Sequence, residues 1–188
     1  MHITRLELRQ FRNYEQAELR PCEGVTVLYG NNAQGKTALL EAIVLCCTGR
    51  SHRTSRDKEL IRWGQEAGRV FVQAEKRDGS HEVEMLLSSL RRKTVKVNGS
   101  ALQRTGELMG HVNGVLFAPE DLRMVKDGPA ERRRFIDMEI SQTSPAYYYA
   151  LQRYARALKQ RNELLRTGRL ETLDSWDEQL CREGARIM

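Results

Sequence analysis

The residues with the clearest potential for chemistry are 30–37, which read GNNAQGKT. They fit the pattern G-x-x-x-x-G-K-[ST], and chance predicts on the order of 0.01 such matches in a chain of this length. In this pattern, backbone N–H groups and the N-terminus of the following helix surround the phosphates of a nucleotide. We therefore interpret residues 30–37 as a phosphate loop that binds a nucleoside triphosphate.

Each part of the phosphate loop has an expected role. Glycines at its two ends let the backbone turn and approach the phosphates closely. Lys36 supplies a positive charge to the β- and γ-phosphates, and the hydroxyl of Thr37 binds Mg²⁺. The alternative is an ordinary turn between a strand and a helix, with Lys36 in solvent. The predicted nucleotide-binding residues are Gly30, Asn31, Asn32, Ala33, Gln34, Gly35, Lys36 and Thr37.

A phosphate loop needs a strand before it and a helix after it. Residues 24–30 (GVTVLYG) are rich in β-branched side chains and nearly all apolar, which predicts a strand that is covered on both faces. Residues 36–47 (KTALLEAIVLCC) favour a buried helix, and Gly49 is a plausible end for it.

Two further turns and one more strand are indicated downstream. Asp78-Gly79 and Asn98-Gly99 each lie between runs with apolar residues at every second position, which predicts hairpins. Residues 112–117 (VNGVLF) read as another buried strand. The expected fold class is therefore α/β, with antiparallel hairpins in a mixed sheet.

The last third of the chain changes character. Pro129 can open one helix, and Ser144-Pro145 supplies an N-cap followed by proline in the first turn of the next. We predict a mixed α/β domain over residues 1–140, and helices that leave it over residues 141–188.

Composition restricts the partners and the compartment. Lys and Arg number 31 and Asp and Glu 25, so the net charge is +6, which permits an anionic partner such as nucleic acid without establishing one. The four cysteines form no ligand cluster and no disulfide framework, which fits a reducing cytoplasm. No run of 18 apolar residues is present, so no membrane span is expected.

Hydrolysis needs more than the phosphate loop, because an acidic pair at a strand end must hold Mg²⁺ and orient water. The nearest match is GVLFAPED, which ends in Glu120 and Asp121. Pro119 intrudes, and both acids fall beyond the strand end, so a structural or nucleotide-sensing loop is an alternative. The catalytic acid therefore stays unassigned, and we expect the Walker B pair to lie outside this chain.

An ordered series of segments resembles the RecF family of bacterial recombination mediators. These segments are FRNY (11–14), GNNAQGKT followed by LLEAI, SHRTSRDKELIRWG (51–64), KVNG (96–99), LFAPEDLRMVKDGPAERRRFID (116–137) and LKQRNELLR (158–166). The resemblance covers nearly the whole chain. It implies a P-loop NTPase of the ABC/SMC-head type, followed by a helical arm.

The resemblance also implies a function. RecF-like proteins are ATPases that bind DNA in an ATP-dependent manner and form homodimers around ATP. They act with RecO and RecR to load RecA at single-stranded gaps during recombinational repair. In this family the signature motif and the Walker B pair lie in the C-terminal half. Neither appears in these 188 residues, so the chain resembles the N-terminal half.

Three further residues are candidates for nucleotide contacts. Arg12 and Asn13 match positions near the nucleotide in related heads, and arginine suits phosphate geometry. Arg53 could reach nucleotide or DNA from the end of the phosphate-loop helix. The alternatives are a solvated turn for Arg12 and Asn13 and a surface position for Arg53. No DNA-binding motif is visible, so any DNA contact, at single-strand gaps or duplex junctions, should be independent of sequence.

Two other functions stay open at this point. The chain length also suits a small self-contained P-loop phosphotransferase, which would need an arginine-rich lid and an acceptor pocket. A non-catalytic DNA-binding scaffold with a vestigial loop is the other alternative.

Overall fold

Six strands form one antiparallel sheet in the computed structural model, which describes residues 1–118, 128–168 and 171–188. The spatial order is β2-β1-β3-β4-β5-β6, so each pair except β1 with β3 joins strands that are consecutive in the chain. The strands are β1 (His2–Phe11), β2 (Tyr14–Leu19), β3 (Ala67–Lys76), β4 (Gly79–Ser88), β5 (Thr94–Val97) and β6 (Ser100–Ala101).

The predicted hairpin turns are confirmed. β3 and β4 pair up to Lys76 opposite Gly79, so the chain reverses through the two residues between them. β5 and β6 are joined by Asn98 and Gly99, both with positive φ (48° and 80°), as a two-residue turn between twisted strands requires.

One helix, α1 (Lys36–Thr48), packs its buried face against this sheet. It ends at Gly49, where the left-handed backbone lets the Gly49 N–H donate to Leu45 O at 2.8 Å, as the sequence predicts. The apolar faces of α1 and the strands form one core, whose largest fully buried members include Phe11, Leu6, Leu8, Leu45, Leu60, Met85, Val70, Val72 and Val83.

The predictions of buried strands at 24–30 and 112–117 are wrong for this structure. Neither segment pairs with any described strand, and apolar side chains in both face solvent: Tyr29 is 91% exposed and Phe117 is 77% exposed. The pattern of apolar side chains indicates only whether a segment favours a buried environment. A strand also needs a neighbouring backbone to pair its N–H and C=O groups, and the described residues supply none here.

The chain divides into two compact units, Met1–Asp121 and Leu122–Met188. The second unit contains helices α2 (Pro129–Thr143), α3 (Pro145–Thr167) and α4 (Leu173–Ile187). The predicted cap of α3 is confirmed, because Ser144 Oγ accepts a hydrogen bond from Tyr147 N. None of the described helices has the length and apolar character needed to cross a membrane.

Candidate nucleotide-binding site

The phosphate loop leads directly into α1. Its backbone has positive φ at Gly30 (142°), Ala33 (63°) and Gly35 (98°), so it curls tightly before the helix begins at Lys36. Gly35 is the N-cap and has no side chain to occupy the free N–H groups of the first turn, which also contains no acidic residue. Those N–H groups and the positive end of the helix dipole are therefore available to an anion.

The side chain of Lys36 folds back and bonds to the start of the phosphate loop. Its ammonium donates to Gly30 O at 2.6 Å and to Asn31 O at 2.7 Å. An ammonium group has three hydrogens, so one donor and the positive charge remain for a ligand. The Lys36 ammonium thus lies beside the first two residues of the loop and lines the cavity described below.

Asn13 and Tyr14 pack against the end of the loop. A Cβ on Gly35 would lie 2.7 Å from Asn13 Oδ1 and 2.8 Å from Tyr14 Cε2, so no other residue fits at this position without displacing them. The hydroxyl of Tyr14 also donates to Gln34 O at 3.4 Å. The turn between β1 and β2 therefore shapes the phosphate loop from the side.

Arg12 is the most highly connected of the predicted site residues. Its Nε donates to Glu41 Oε2 at 2.9 Å and its Nη2 to Glu41 Oε1 at 2.6 Å, which is a bidentate pair. Its Nη1 donates to Glu59 O at 2.7 Å. The interpretation of Arg12 as part of a solvated turn therefore does not describe this structure.

Glu41 was missed by the sequence reasoning. It lies on α1 with 0% of its surface exposed, and it also accepts from Ser51 Oγ at 2.5 Å and lies 3.6 Å from Arg53 Nη1. Burial alone would raise the pKa of this carboxyl. Hydrogen bonds from Arg12 and Ser51 and the charges of both arginines outweigh burial, so the pKa lies below its ordinary value.

A signal for Glu41 was present in the sequence. A single carboxylate stands in the otherwise apolar stretch ALLEAIVLCC, and a helix that is buried on this face must provide that carboxylate with cationic partners. Its partner Arg12 is 29 residues away, which local pattern cannot reveal.

One cavity is lined by most of the predicted site residues. It has a volume of about 1380 Å³, which exceeds the roughly 300–1,000 Å³ of many ligand sites. From the predicted set it is lined by Arg12, Asn13, Asn32, Ala33, Gly35, Lys36, Thr37 and Arg53. Gly30, Asn31 and Gln34 are not among the lining residues; their contacts are within the loop and with Tyr14.

The cavity has a second wall that the sequence reasoning did not predict. Residues 61–65 and Ser89 line it, and Trp63 is 97% exposed. This wall is tied to the end of β1, because Arg62 N donates to Gln10 O at 2.9 Å and Arg12 N donates to Leu60 O at 2.8 Å. A large aromatic side chain therefore shares a cavity with the phosphate loop.

Across residues 1–118, 128–168 and 171–188, no group of three or more His, Cys, Asp or Glu side chains is arranged to hold a metal ion. Glu120 and Asp121, the candidate acidic pair, lie outside the described residues, so the catalytic acid remains unassigned.

Comparison with known proteins defines the class. A family model described as "AAA domain" matches residues 5–174, and the chain belongs to this family. Solved SMC ATPases and SMC head domains share the fold; one SMC ATPase structure has a TM-score of 0.61 at 21% identity over 73% of this chain and 98% of the other chain. The expected fold class, an α/β P-loop domain of the ABC/SMC-head type, is therefore confirmed.

Within that class the sequence corresponds to the N-terminal half of RecF, as the resemblance predicted. "DNA replication and repair protein RecF" of Alkaliphilus oremlandii is 46% identical over 98% of this chain and 51% of its own. The protein of the same name from Geobacillus kaustophilus is 45% identical over 100% of this chain and 52% of its own. The chain thus spans about half the length of these curated relatives.

A solved structure agrees with the sequence comparison. The structure of "the recombination mediator protein RecF-ATPrS" matches 99% of this chain and 52% of its own with a TM-score of 0.90 at 38% identity. A second structure described as RecF-ATP matches 98% of this chain and 51% of its own with the same TM-score.

Proposed function

We propose that this chain is the nucleotide-binding half of an ATP-dependent DNA-binding protein of replication and recombinational repair. The observation that carries the proposal is the shared cavity, in which the phosphate loop and the start of α1 meet Arg12 and Arg53. Four kinds of phosphate partner converge there: free backbone N–H groups, a helix N-terminus, an ammonium and two guanidiniums. The similar structures of RecF-ATP and RecF-ATPrS support ATP as the ligand.

Each residue of the site has a role in this proposal. The N–H groups of the phosphate loop and the remaining donor of Lys36 bind the β- and γ-phosphates. Arg12 and Arg53 add positive charge at the cavity wall. Trp63 offers a broad aromatic surface on which the adenine base can stack.

Mg²⁺ fits this site as an ion that arrives with the nucleotide. Thr37 lines the cavity beside Lys36 and supplies one hydroxyl oxygen. Mg²⁺ commonly uses one or two protein ligands together with phosphate oxygens and water, so the Thr37 hydroxyl can serve as a protein ligand while the nucleotide and water supply the others. The ion would neutralise phosphate charge and hold the triphosphate in one geometry.

The whole protein's activity extends this proposal. Relatives named "DNA replication and repair protein RecF" support a repair function. A structurally similar SMC ATPase, described for its "ATP-driven dimerization and DNA stimulated activation", supports an ATP-dependent homodimer that binds DNA. By resemblance we further propose action with RecO and RecR in loading RecA at single-stranded gaps, in the bacterial cytoplasm.

Turnover is proposed to be slow and to belong to the full-length dimer. Glu59, which lines the cavity, already accepts from Thr54 Oγ1 at 2.6 Å, and the buried Glu41 is held by Arg12. A water-orienting acid must therefore come from other residues, which the relatives' greater length can accommodate.

Equilibrium binding of Mg-ATP tests the proposal. The protein should bind ATP, and Lys36→Ala should weaken binding roughly a hundredfold, because a charged donor to the phosphates is lost. Thr37→Ala should reduce the Mg²⁺ dependence of binding while leaving metal-free binding nearly unchanged. Unaltered ATP binding by Lys36→Ala, or phosphoryl transfer to a small-molecule acceptor, would contradict the proposal.

A further inference from the structure

Glu41 occupies an unusual position for a carboxylate. It is fully buried on α1, the helix that the phosphate loop opens, and both of its oxygens are engaged. Its partners Arg12 and Arg53 both line the cavity, although they come from opposite sides of α1 in the chain. A single buried carboxylate thus joins two cations of the proposed phosphate site.

The guanidinium of Arg12 is held with little freedom. Three of its nitrogens donate to Glu41 and to Glu59 O. Its backbone has φ of 54°, a left-handed conformation that is unfavourable for a residue other than glycine, and its N–H is bonded to Leu60 O. Backbone strain of this kind persists only where the surroundings determine it, and it is concentrated at functional sites.

We propose that Glu41 is a positioning residue for the nucleotide: its carboxylate fixes Arg12, with Arg53 beside it, in the orientation that meets the phosphates. This inference rests on the proposed function of the cavity. A free arginine side chain loses much rotamer freedom when it binds a phosphate. Here the bidentate pair with Glu41 has already removed that freedom before the ligand arrives.

The direction in which Glu41→Gln changes ATP affinity distinguishes this positioning role from a purely electrostatic effect. A carboxylate near a phosphate site repels the ligand, so Glu41→Gln would strengthen ATP binding if charge alone mattered. If Glu41 acts by orienting Arg12, the same substitution weakens binding. The two accounts therefore predict opposite shifts in the dissociation constant.

The experiment measures dissociation constants of Mg-ATP and of tripolyphosphate for the full-length protein, below the unfolding temperature of every variant. We expect Glu41→Gln to weaken both ligands by roughly tenfold or more, because the charge-assisted contacts of Arg12 lose their geometry. The control is Glu84→Gln on the sheet, where Glu84 pairs with Arg69 and Lys96 away from the cavity. That variant should bind both ligands as the wild type does.

A double-mutant cycle tests whether Glu41 acts through Arg12. Arg12→Ala should weaken ATP binding, and adding Glu41→Gln in that background should have no further effect. A structural role for Glu41 would instead make the two losses multiply. Multiplying losses, or an unchanged or tighter affinity for Glu41→Gln, would overturn the inference.

Two further variants keep the result interpretable. If Glu41→Gln fails to fold, Glu41→Asp replaces it. This variant keeps the charge but draws Arg12 back by about one methylene, so we expect a roughly threefold or greater loss of ATP affinity. Wild-type affinity in folded Glu41→Asp overturns the inference.

Lys36→Ala separates the two proposals. If Lys36→Ala binds ATP like the wild type, the proposed function fails. If Lys36→Ala weakens ATP binding but Glu41→Gln does not, only the positioning role is contradicted.

Discussion

The position that a Cβ atom would take on Gly35 is 2.7 Å from Asn13 Oδ1. The phosphate loop and the turn between β1 and β2 are therefore in contact at a point where only glycine fits. Because φ at Gly35 is also 98°, both sterics and backbone conformation select glycine there.

Gly35→Ala should abolish nucleotide binding and lower the free energy of unfolding by about 2–3 kcal/mol, since the methyl group must displace Asn13 or Tyr14 and the left-handed backbone is strained. Chemical denaturation and ATP titration measure the two effects. The matched control is Gly99→Ala, at φ of 80° with open space around it. This control should lose only about 1 kcal/mol and bind ATP normally. Equal losses of stability and of ATP binding in the two variants would contradict the proposed packing of Gly35 against Asn13 and Tyr14.

The contribution of Glu41 to stability should depend on pH. The pKa of its carboxyl is lowered: burial opposes this, but Arg12, Ser51 and Arg53 outweigh burial. A carboxyl with a lowered folded pKa stabilises the fold above its unfolded pKa, and the contribution is lost as pH falls through the folded value. Glu41→Gln should therefore be about 3 kcal/mol less stable than the wild type near neutral pH.

This gap between Glu41→Gln and the wild type should close as pH falls below the ordinary value of 4.5. Urea unfolding at several pH values measures it. A gap that stays constant from neutral pH down to strongly acidic solution would show that the Glu41 charge is not what stabilises this region.

Arg69 ties three strands together on the face of the sheet. It donates to Glu7 Oε2 at 2.7 Å and to Glu84 Oε1 at 2.5 Å, and its guanidinium lies 5.1 Å from the centroid of the Phe71 ring. Arg69→Ala should lower the free energy of unfolding by about 1–2 kcal/mol, with loss of two charge-assisted hydrogen bonds and a cation–π contact. Because Arg69, Glu7 and Glu84 are not among the residues that line the cavity, ATP affinity should not change. A large loss of affinity would argue against this independence.

Local chemistry explains what the sequence could predict. The phosphate loop, the end of α1 at Gly49 and the Asn98-Gly99 turn each depend on residues that are adjacent in the chain, where positive φ and free N–H groups demand particular residue types. The contact between Arg12 and Glu41 depends on how β1 and α1 pack together, and no local rule determines that.

The wrong strand predictions have a related cause. Val27 and Phe117 have the side chains of sheet residues, yet pairing depends on a neighbouring strand that the described residues do not include. Apolar segments of this kind suit a sheet partner from elsewhere in the full-length protein.

Hydrogen exchange should reveal these unpaired segments. In the 188-residue chain, amides at 24–30 and 112–117 should exchange rapidly, whereas those of β3, which pairs on both sides, should be strongly protected. In the full-length protein the two segments should become protected. Equal protection of 24–30 and β3 in the shorter chain would show that the segment is already paired.

The most direct test of the central claim is a crystal structure of the full-length protein with Mg²⁺ and a slowly hydrolysed ATP analogue. We predict that the triphosphate lies at the start of α1, with Lys36 on the β- and γ-phosphates, Thr37 beside the metal ion and the Arg12–Glu41 pair retained. A nucleotide bound elsewhere, with the phosphate loop unaltered and empty, would contradict it.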